Sequence, residues 1–365
     1  MAQITIDALN SRQRAKPIKW RKAGYGLLGH AAIIAVGVFF MVPIVWMFFT
    51  AFKSDEDVFS IPPTLLPRAN LQVTVNGQEL PVYDVTIEEG QTRRMALLKV
   101  AEGQGEFVDP ANPGAEPVKV RIKKFATPVL VTEFQWHNFA DAMNRGVRPG
   151  LNVNFWTYFK NSTIVAVFTI IGTLLSCAPV AYGFARIQWP GRDLVFILVL
   201  STMMLPFQVT MIPLFLFFTE TLHWGDTFLP LIVPSFFANA FDIFLLRQFF
   251  RTIPEELLDA ARVDGASELR IFLGIVLPLS RPILATITVF TFLWSWNLFL
   301  EPLLYLTNPE NFTLALGLQD FQAQHRVIWN QMMAASVVFT IPVVIAFFFA
   351  QRTFIEGIKL TGSKG

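Results

Sequence analysis

An all-α integral membrane fold with six spans, interrupted once by a small β-rich insertion, is what this sequence predicts. Three observations carry that expectation. Of the 365 residues, 53% are hydrophobic and only 15% charged, whereas a soluble domain usually carries about 25% charged residues. The charges crowd into the first 22 residues, 68–148 and 247–281, leaving apolar stretches between them, and a membrane helix needs ~20 such residues. Between about 71 and 131 the pattern changes to short alternating runs broken by turn residues.

The spans fall at roughly 24–50, 157–185, 193–218, 227–250, 280–306 and 329–350. In hydrocarbon every backbone polar group must be satisfied within the segment, so each is expected as a helix. Pro43, Pro179, Pro206, Pro213, Pro234 and Pro342 sit inside these runs and are expected to kink membrane helices, which tolerate them. The 37 Phe residues suit lipid-facing and helix-packing surfaces. A basic stretch with Arg12, Arg14, Lys16, Lys19, Arg21 and Lys22 precedes the first run. That run exceeds the ~7–15-residue apolar core of a secretory signal, so it is expected to stay as the first helix.

Orientation follows from Lys and Arg in short loops, which favour the cytoplasmic side. The basic residues 1–23, the loop with Arg186 and Arg192, and the loop with Arg247, Arg251, Arg262, Arg270 and Arg281 are expected inside. So is the tail 351–365 with Arg352, Lys359 and Lys364. The loop 219–226 has Glu220 and Asp226 and no Lys or Arg, and fits outside. Both termini are then cytoplasmic, and 51–156 is extracytoplasmic, since long loops translocate regardless of charge. Within it, Asn76-Gly77 signals a hairpin. The stretch from Val118 to Ile122 alternates as a half-buried strand does, and Asp109-Pro-Ala-Asn-Pro-Gly reads as a loop. A β-rich cap at about 71–131 is expected, small enough to lean on the helices or on a partner.

Several function classes drop out. Net charge is +2 and the basic residues follow loop topology, so no nucleic-acid partner is expected. Cys177 is the single cysteine and makes no intrachain disulfide. His30, His137, His223 and His325 are scattered, so no metal site is expected. No Gly-x-x-x-x-Gly-Lys-Ser/Thr phosphate loop occurs, so the chain is not expected to hydrolyse ATP or to catalyse any reaction. A membrane enzyme acting on lipid-linked substrates needs paired acid–base groups at the surface. Asp55, Glu56 and Asp57 are the only dense acidic cluster near an outer interface, and they read better as a solvated helix exit.

The stretch 252–278 is the most informative. Thr252 and Glu255 form a capping-box pattern, with Pro254 in the first helical turn. A short amphipathic helix should follow, bearing Leu257, Leu258 and Ala261, and Asp264-Gly265 should break it. Ser267 is placed to cap a second helix running to Pro278. The product is a helix–turn–helix projection suited to a groove on a soluble partner. Small residues at Ala260 and Ala261 permit close approach of another backbone, and Gly265 permits a turn that a side chain would obstruct.

This segment resembles the EAA loop of ATP-binding-cassette importer permeases: Glu-Ala-Ala, three residues, Gly, nine residues, then Ile-x-Leu-Pro. Here it reads Asp259-Ala260-Ala261, Gly265 and Ile275-Val276-Leu277-Pro278, with Asp in place of the usual Glu. Arg186-Ile-Gln-Trp-Pro-Gly-Arg-Asp-Leu and Phe244-Leu-Leu-Arg-Gln-Phe-Phe are similar to stretches of the sugar-importing class. The end, Gln351-Arg-Thr-Phe-Ile-Glu-Gly-Ile-Lys-Leu-Thr-Gly-Ser-Lys-Gly, is similar to the tail of maltose-type inner-membrane permease subunits. The resemblance covers most of 24–365 and not the cap.

The resemblance implies a six-helix subunit of the type I importer kind in a bacterial inner membrane, with a permease core over 157–350. Its partners would be a second, non-identical permease subunit, a cytoplasmic ATPase dimer and an extracytoplasmic solute-binding protein. ATP and Mg would bind the ATPase subunits, and no cofactor this chain. Asp259, Ala260, Ala261, Gly265 and Pro278 would form the coupling element, with the tail residues Gly362, Ser363, Lys364 and Gly365 as secondary contacts. Cargo would be a sugar or oligosaccharide, or another solute such as a glycerol phosphodiester. Polar groups inside spans usually face a cavity or a partner helix. Asn239, Asp242, Asn297 and Glu301 are therefore candidates for the substrate path, with Trp294 and Trp296 placed to stack on sugar faces.

Overall fold

The computed structural model describes residues 19–362 apart from 88–90, 102, 145–152 and 324–325. Arg12, Arg14, Lys16, His325, Ser363, Lys364 and Gly365 lie outside the described residues. The first helix, α1 (Lys19–Thr50), is apolar all round over Leu28–Thr50, and the core of that stretch is unburied. Ile33, Phe39 and Phe40 are each about 70% exposed, so this helix offers its surface to lipid or to another subunit.

The longest buried element is α3 (Phe155–Arg186), which follows the short helix α2 (His137–Asn144). Asn154 caps α3 by accepting from the Thr157 N–H at 3.1 Å, and small residues let neighbours close on it. A Cβ on Gly172 would meet Ser235 Oγ and come within 2.7 Å of the Phe236 ring. One core gathers Tyr158, Trp296 and Leu314 around one end of α3; a second gathers Tyr182, Leu246, Leu258 and Ile271 around the other. The second core is what seats the projection on the helices.

Four described helices are long and apolar enough to cross a membrane: Leu28–Thr50, Phe155–Arg186, Leu229–Phe250 and Trp329–Gln351. Two of the expected spans are not straight. Helices α4 (Arg192–Met204) and α5 (Phe207–Thr221) meet at 92°. The cause is Pro206, which disfavours the helical region for the residue before it; Leu205 is extended at φ −75°, ψ 116°. Pro206 breaks this helix rather than kinking it. In the 280–306 run, α9 (Arg281–Trp296) stops at Asn297, and a separate helix, Leu300–Tyr305, follows. Pro302 lacks an N–H and clashes with the carbonyl four residues back, at Leu298, which keeps the two pieces apart. At its other end α9 meets Glu268–Leu279 at 76°.

The region between α1 and α2 is β-rich. Strand β2 (Gln72–Val75) forms a hairpin with β3 (Gln78–Thr86), pairing Val75 with Gln78. Asn76 and Gly77 take φ 51° and 83° at the turn, the left-handed geometry that a two-residue hairpin needs. Strands β4 (Thr92–Ala101), β5 (Gln104–Val108) and β6 (Val118–Arg121) continue the sheet. A helical turn at Ile122–Phe125 then leads into β7 (Ala126–Pro128), which returns to pair with β3. The chain thus closes a circuit around Val85, Met95 and Phe107, a core separate from those of the helices. Gly105 faces that core, where a Cβ would lie 2.6 Å from the Phe107 ring. At the base, β1 (Arg68–Asn70) pairs with β8 (Leu130–Thr132).

The acidic cluster at 55–57 is not a solvated exit throughout. Asp57 is 6% exposed. It accepts the Arg68 N–H at 2.9 Å and lies 3.6 Å from the Arg68 guanidinium, so it ties β1 to the end of α1. Lys53, 1% exposed beside it, donates to Thr64 O and sits over the Trp46 ring. Burial, opposed in part by Asp57, pulls the Lys53 ammonium pKa below its ordinary value.

Candidate functional site

Two sites stand on this frame: a helical projection at one end and a cavity among the helices. The projection leaves α6 (Ala240–Phe250) through a tight turn. Thr252 Oγ1 donates to Phe249 O at 2.7 Å and so finishes the preceding helix. It does not cap the next one, α7 (Glu255–Val263), whose N-cap position is Pro254. The expected capping box is therefore absent: Thr252 lies two residues too early for a helix that begins at Glu255. Gly265, at φ 80°, turns the chain after α7. A Cβ there would touch nothing within 4 Å, so the demand on Gly265 is conformational. Ser267 caps the second helix by accepting from the Arg270 N–H at 3.4 Å. That helix starts as α8 (Glu268–Ile271), widens into a π-helix at Phe272–Val276 and ends at Leu277–Leu279.

Leu258 is fully buried against the helices, while Leu257, Ala260 and Val263 face outward. Their spacing of three places them along one exposed face, and Val263 is 87% exposed. Asp259, Gly265 and Pro278 are exposed too, and Ala261 is half-buried.

A chain of polar contacts ties the projection to α3. Tyr182 Oη donates to Glu268 Oε2 at 2.5 Å, and Arg262 Nε donates to Glu268 Oε1 at 2.8 Å. Arg262 Nη1 donates to Asp259 Oδ1 at 2.7 Å. The hydrogen bonds to Glu268 and Asp259 hold the Arg262 pKa above its ordinary value. One turn beyond Tyr182, Arg186 donates to the carbonyls of Phe250 and Ile253. Asp259 is thus engaged inside the projection. Tyr182, Arg186, Arg262 and Glu268 are absent from the sequence-based site; the signal present was a Tyr and an Arg at i, i+4 facing a loop rich in charge.

The second site is a cavity of about 750 Å³ lined by α3, the helix Phe207–Thr221, the broken helix 229–250, α9 and the helix Leu300–Tyr305. It opens beside an irregular stretch: Ala238 takes φ 62° and Asn239 caps α6. Non-helical backbone at membrane depth is tolerated where it lines a cavity. Asn239 accepts the Asp242 N–H at 2.9 Å and donates to Asp242 Oδ2 at 2.7 Å. Four of the expected substrate-path residues, Asn239, Asp242, Trp294 and Glu301, line this one cavity. Asn297 is not among its lining residues; it donates to Leu293 O at 2.7 Å and ends its own helix. Trp296 is also elsewhere, 2% exposed, donating to Phe339 O and stacked between Phe292 and Phe339. Thr169, Thr173 and Ser235 line the cavity and were not singled out from sequence, because hydroxyls are common in membrane helices and carry no spacing signal.

Comparisons with known proteins agree in kind. The family model described as "Binding-protein-dependent transport system inner membrane component" matches residues 170–359, more than half of the chain. The arabinooligosaccharides transport system permease protein AraQ of Halalkalibacterium halodurans is 38% identical over 211 residues, 58% of this chain and 75% of the relative. The sn-glycerol-3-phosphate transport system permease protein UgpE of Salmonella typhimurium is 37% identical over 214 residues, 57% of this chain and 75% of the relative. A chain from the crystal structure of a bacterial transporter that imports the acidic polysaccharide alginate shares the fold. Its TM-score is 0.61 at 21% identity, covering 89% of this chain and 96% of that one.

Proposed function

This chain belongs to the family of binding-protein-dependent transport system inner membrane components, and on that premise we propose that it forms half of the pathway of a sugar or oligosaccharide importer. The observation that carries the reading is the projection 252–278, which presents an outward apolar row on a base anchored to α3. An exposed apolar row rimmed by charge marks a protein-docking surface. The partner is a cytoplasmic ATPase dimer, which supplies ATP and Mg at its own sites. Closure of that dimer moves the projection, and the Tyr182 and Arg186 contacts pass the movement to α3. A solute-binding protein delivers cargo on the opposite side, and a second, non-identical permease subunit completes the pathway.

In this reading Arg192–Met204 with Phe207–Thr221 counts as one crossing and Arg281–Trp296 with Leu300–Tyr305 as another, while Glu268–Leu279 stays in the projection. The chain then makes six crossings, with both termini in the cytoplasm and the β-rich region outside. The exposed surface of α1 suits contact with lipid and with the second permease. The tail residues Gly362, Ser363, Lys364 and Gly365 add contacts to the ATPase. Cargo of the sugar class is supported by the relatives named for arabinooligosaccharides.

The test is Gly265→Asp in the complete importer. Its side chain enters a left-handed position and adds charge at the docking face. ATP-driven uptake should be abolished while the subunit remains inserted in the membrane at its normal level. Normal uptake by that variant would sink the coupling role.

A further inference from the structure

The lining of the cavity is one-sided in charge. Asp242 and Glu301 are its acidic groups, and none of the described residues that line it is Lys or Arg. Relatives named for a neutral oligosaccharide and for a phosphate ester are 38% and 37% identical, so identity does not choose between those cargo charges. The chemistry of the cavity does. An anion moved from water onto a largely apolar lining must find a cation or several donors, or its desolvation is uncompensated. Here it would meet two carboxyl groups instead.

A hydroxyl-rich neutral solute meets the reverse situation. Asp242, held in place by Asn239, and Glu301 offer acceptors to hydroxyl groups. Thr169 is 2% exposed, lines the cavity, and its Oγ1 has no hydrogen-bond partner. A buried hydroxyl left unpaired is costly, and a solute hydroxyl relieves that cost. Trp294, 55% exposed at the cavity wall, presents a flat apolar face of the kind that packs on a sugar ring.

We infer that this cavity accepts neutral, hydroxyl-rich solutes and turns anionic ones away, with Thr169, Asp242 and Glu301 as its polar contacts. The inference rests on the importer reading and adds the charge class of the cargo.

Binding and transport are measured separately to test it. The permease pair with its ATPase subunits, in nanodiscs and without the binding protein or nucleotide, is titrated with labelled arabinotriose, maltotriose and xylotriose. The same titration uses the aldonic acid of each, which differs by one carboxylate at the reducing end, and glycerol 3-phosphate. At least one neutral trisaccharide should bind about tenfold or more tightly than its aldonic acid, the scale on which an uncompensated buried charge is penalised. Thr169→Val should weaken that binding about three- to tenfold, the worth of one hydrogen bond, and Thr169→Ser should keep it. Asp242→Asn with Glu301→Gln should narrow the gap between neutral and acid forms. Equal binding of acid and neutral forms, failure of all three neutral trisaccharides to bind, or unchanged affinity in Thr169→Val overturns the inference. ATP-driven uptake into proteoliposomes reads the importer function by itself. A complex that binds the trisaccharide selectively but does not import it upholds the cavity and overturns the importer reading.

Discussion

The projection and the cavity are built by opposite means. The projection is one continuous stretch, held in shape by charged side chains and seated on a single buried face. The cavity is assembled from α3, the helix Phe207–Thr221, the broken helix 229–250, α9 and the helix after it, whose polar ties, such as Ser176 Oγ donating to Ser235 O, are between uncharged groups. A lever must keep its shape under load, and short charge-assisted hydrogen bonds supply that stiffness. A pathway must part its walls, and walls joined by packing separate without breaking a buried ion pair.

Substitutions that exchange these roles test the contrast. The largest effect is expected at Glu268, where the ties to Tyr182 and Arg262 meet. Glu268→Ala should lower ATP-driven uptake about tenfold, the low end for losing charged hydrogen bonds at a partly exposed site. Hydrolysis by the partner ATPase should persist, so the ratio of solute moved to ATP consumed is the quantity to measure. An unchanged ratio would show that the polar chain carries no load. Next comes Gly172→Ala, which drives a methyl group into Ser235 and Phe236 at the cavity wall. Overpacking of this kind costs roughly 1–3 kcal/mol, and it should appear as a lower unfolding midpoint of the purified complex together with weaker solute binding. A milder lesion is Arg262→Lys, which keeps charge but loses the fork that bonds Glu268 and Asp259 together. Uptake should fall about threefold, between the unsubstituted chain and Glu268→Ala, since one of two hydrogen bonds is lost.

The smallest expected effect lies at neither site. Asp226 Oδ1 accepts the N–H groups of Thr307 and Asn308 at 3.0 and 2.9 Å. Burial works to raise its pKa, but those hydrogen bonds outweigh it and leave the pKa below its ordinary value. A lowered carboxyl pKa stabilises the fold above the unfolded value near ~3.9 and ceases to as pH falls through the lower folded value. The loop at 222–228 should therefore become more sensitive to proteolysis below about pH 4, and Asp226→Asn should flatten that dependence.

Much of the projection was legible in the sequence because its parts are contiguous. The break at Gly265 and the Ser267 cap follow from local residue chemistry, and so does the hairpin at Asn76-Gly77. Thr252 was misplaced by two residues, since a hydroxyl near a helix boundary caps either the helix before it or the one after. The bends at Pro206 and before Pro302 were read as kinks or missed, because hydropathy averages over the break. The cavity was legible only in part. Charge and amides inside spans pointed to Asp242, Glu301 and Asn239. The same reasoning placed Asn297 there, although it serves its own helix, and overlooked Thr169, whose significance appears only once its surroundings are known.

The pairing of β1 with β8 has a consequence for how the chain can be rearranged. Asn70 and Leu130 are register partners, and antiparallel partners sit about 4.5–5.5 Å apart. The polypeptide therefore enters and leaves the β-rich unit at almost the same point, as a loop of thread passes through one buttonhole. Everything from Leu71 to Val129 could be cut out and the ends joined by a short turn without moving the start of α2 relative to the end of α1. In architectural terms the unit is a detachable fitting on a fixed frame, open to loss, exchange or enlargement without redesign of the helices beneath it.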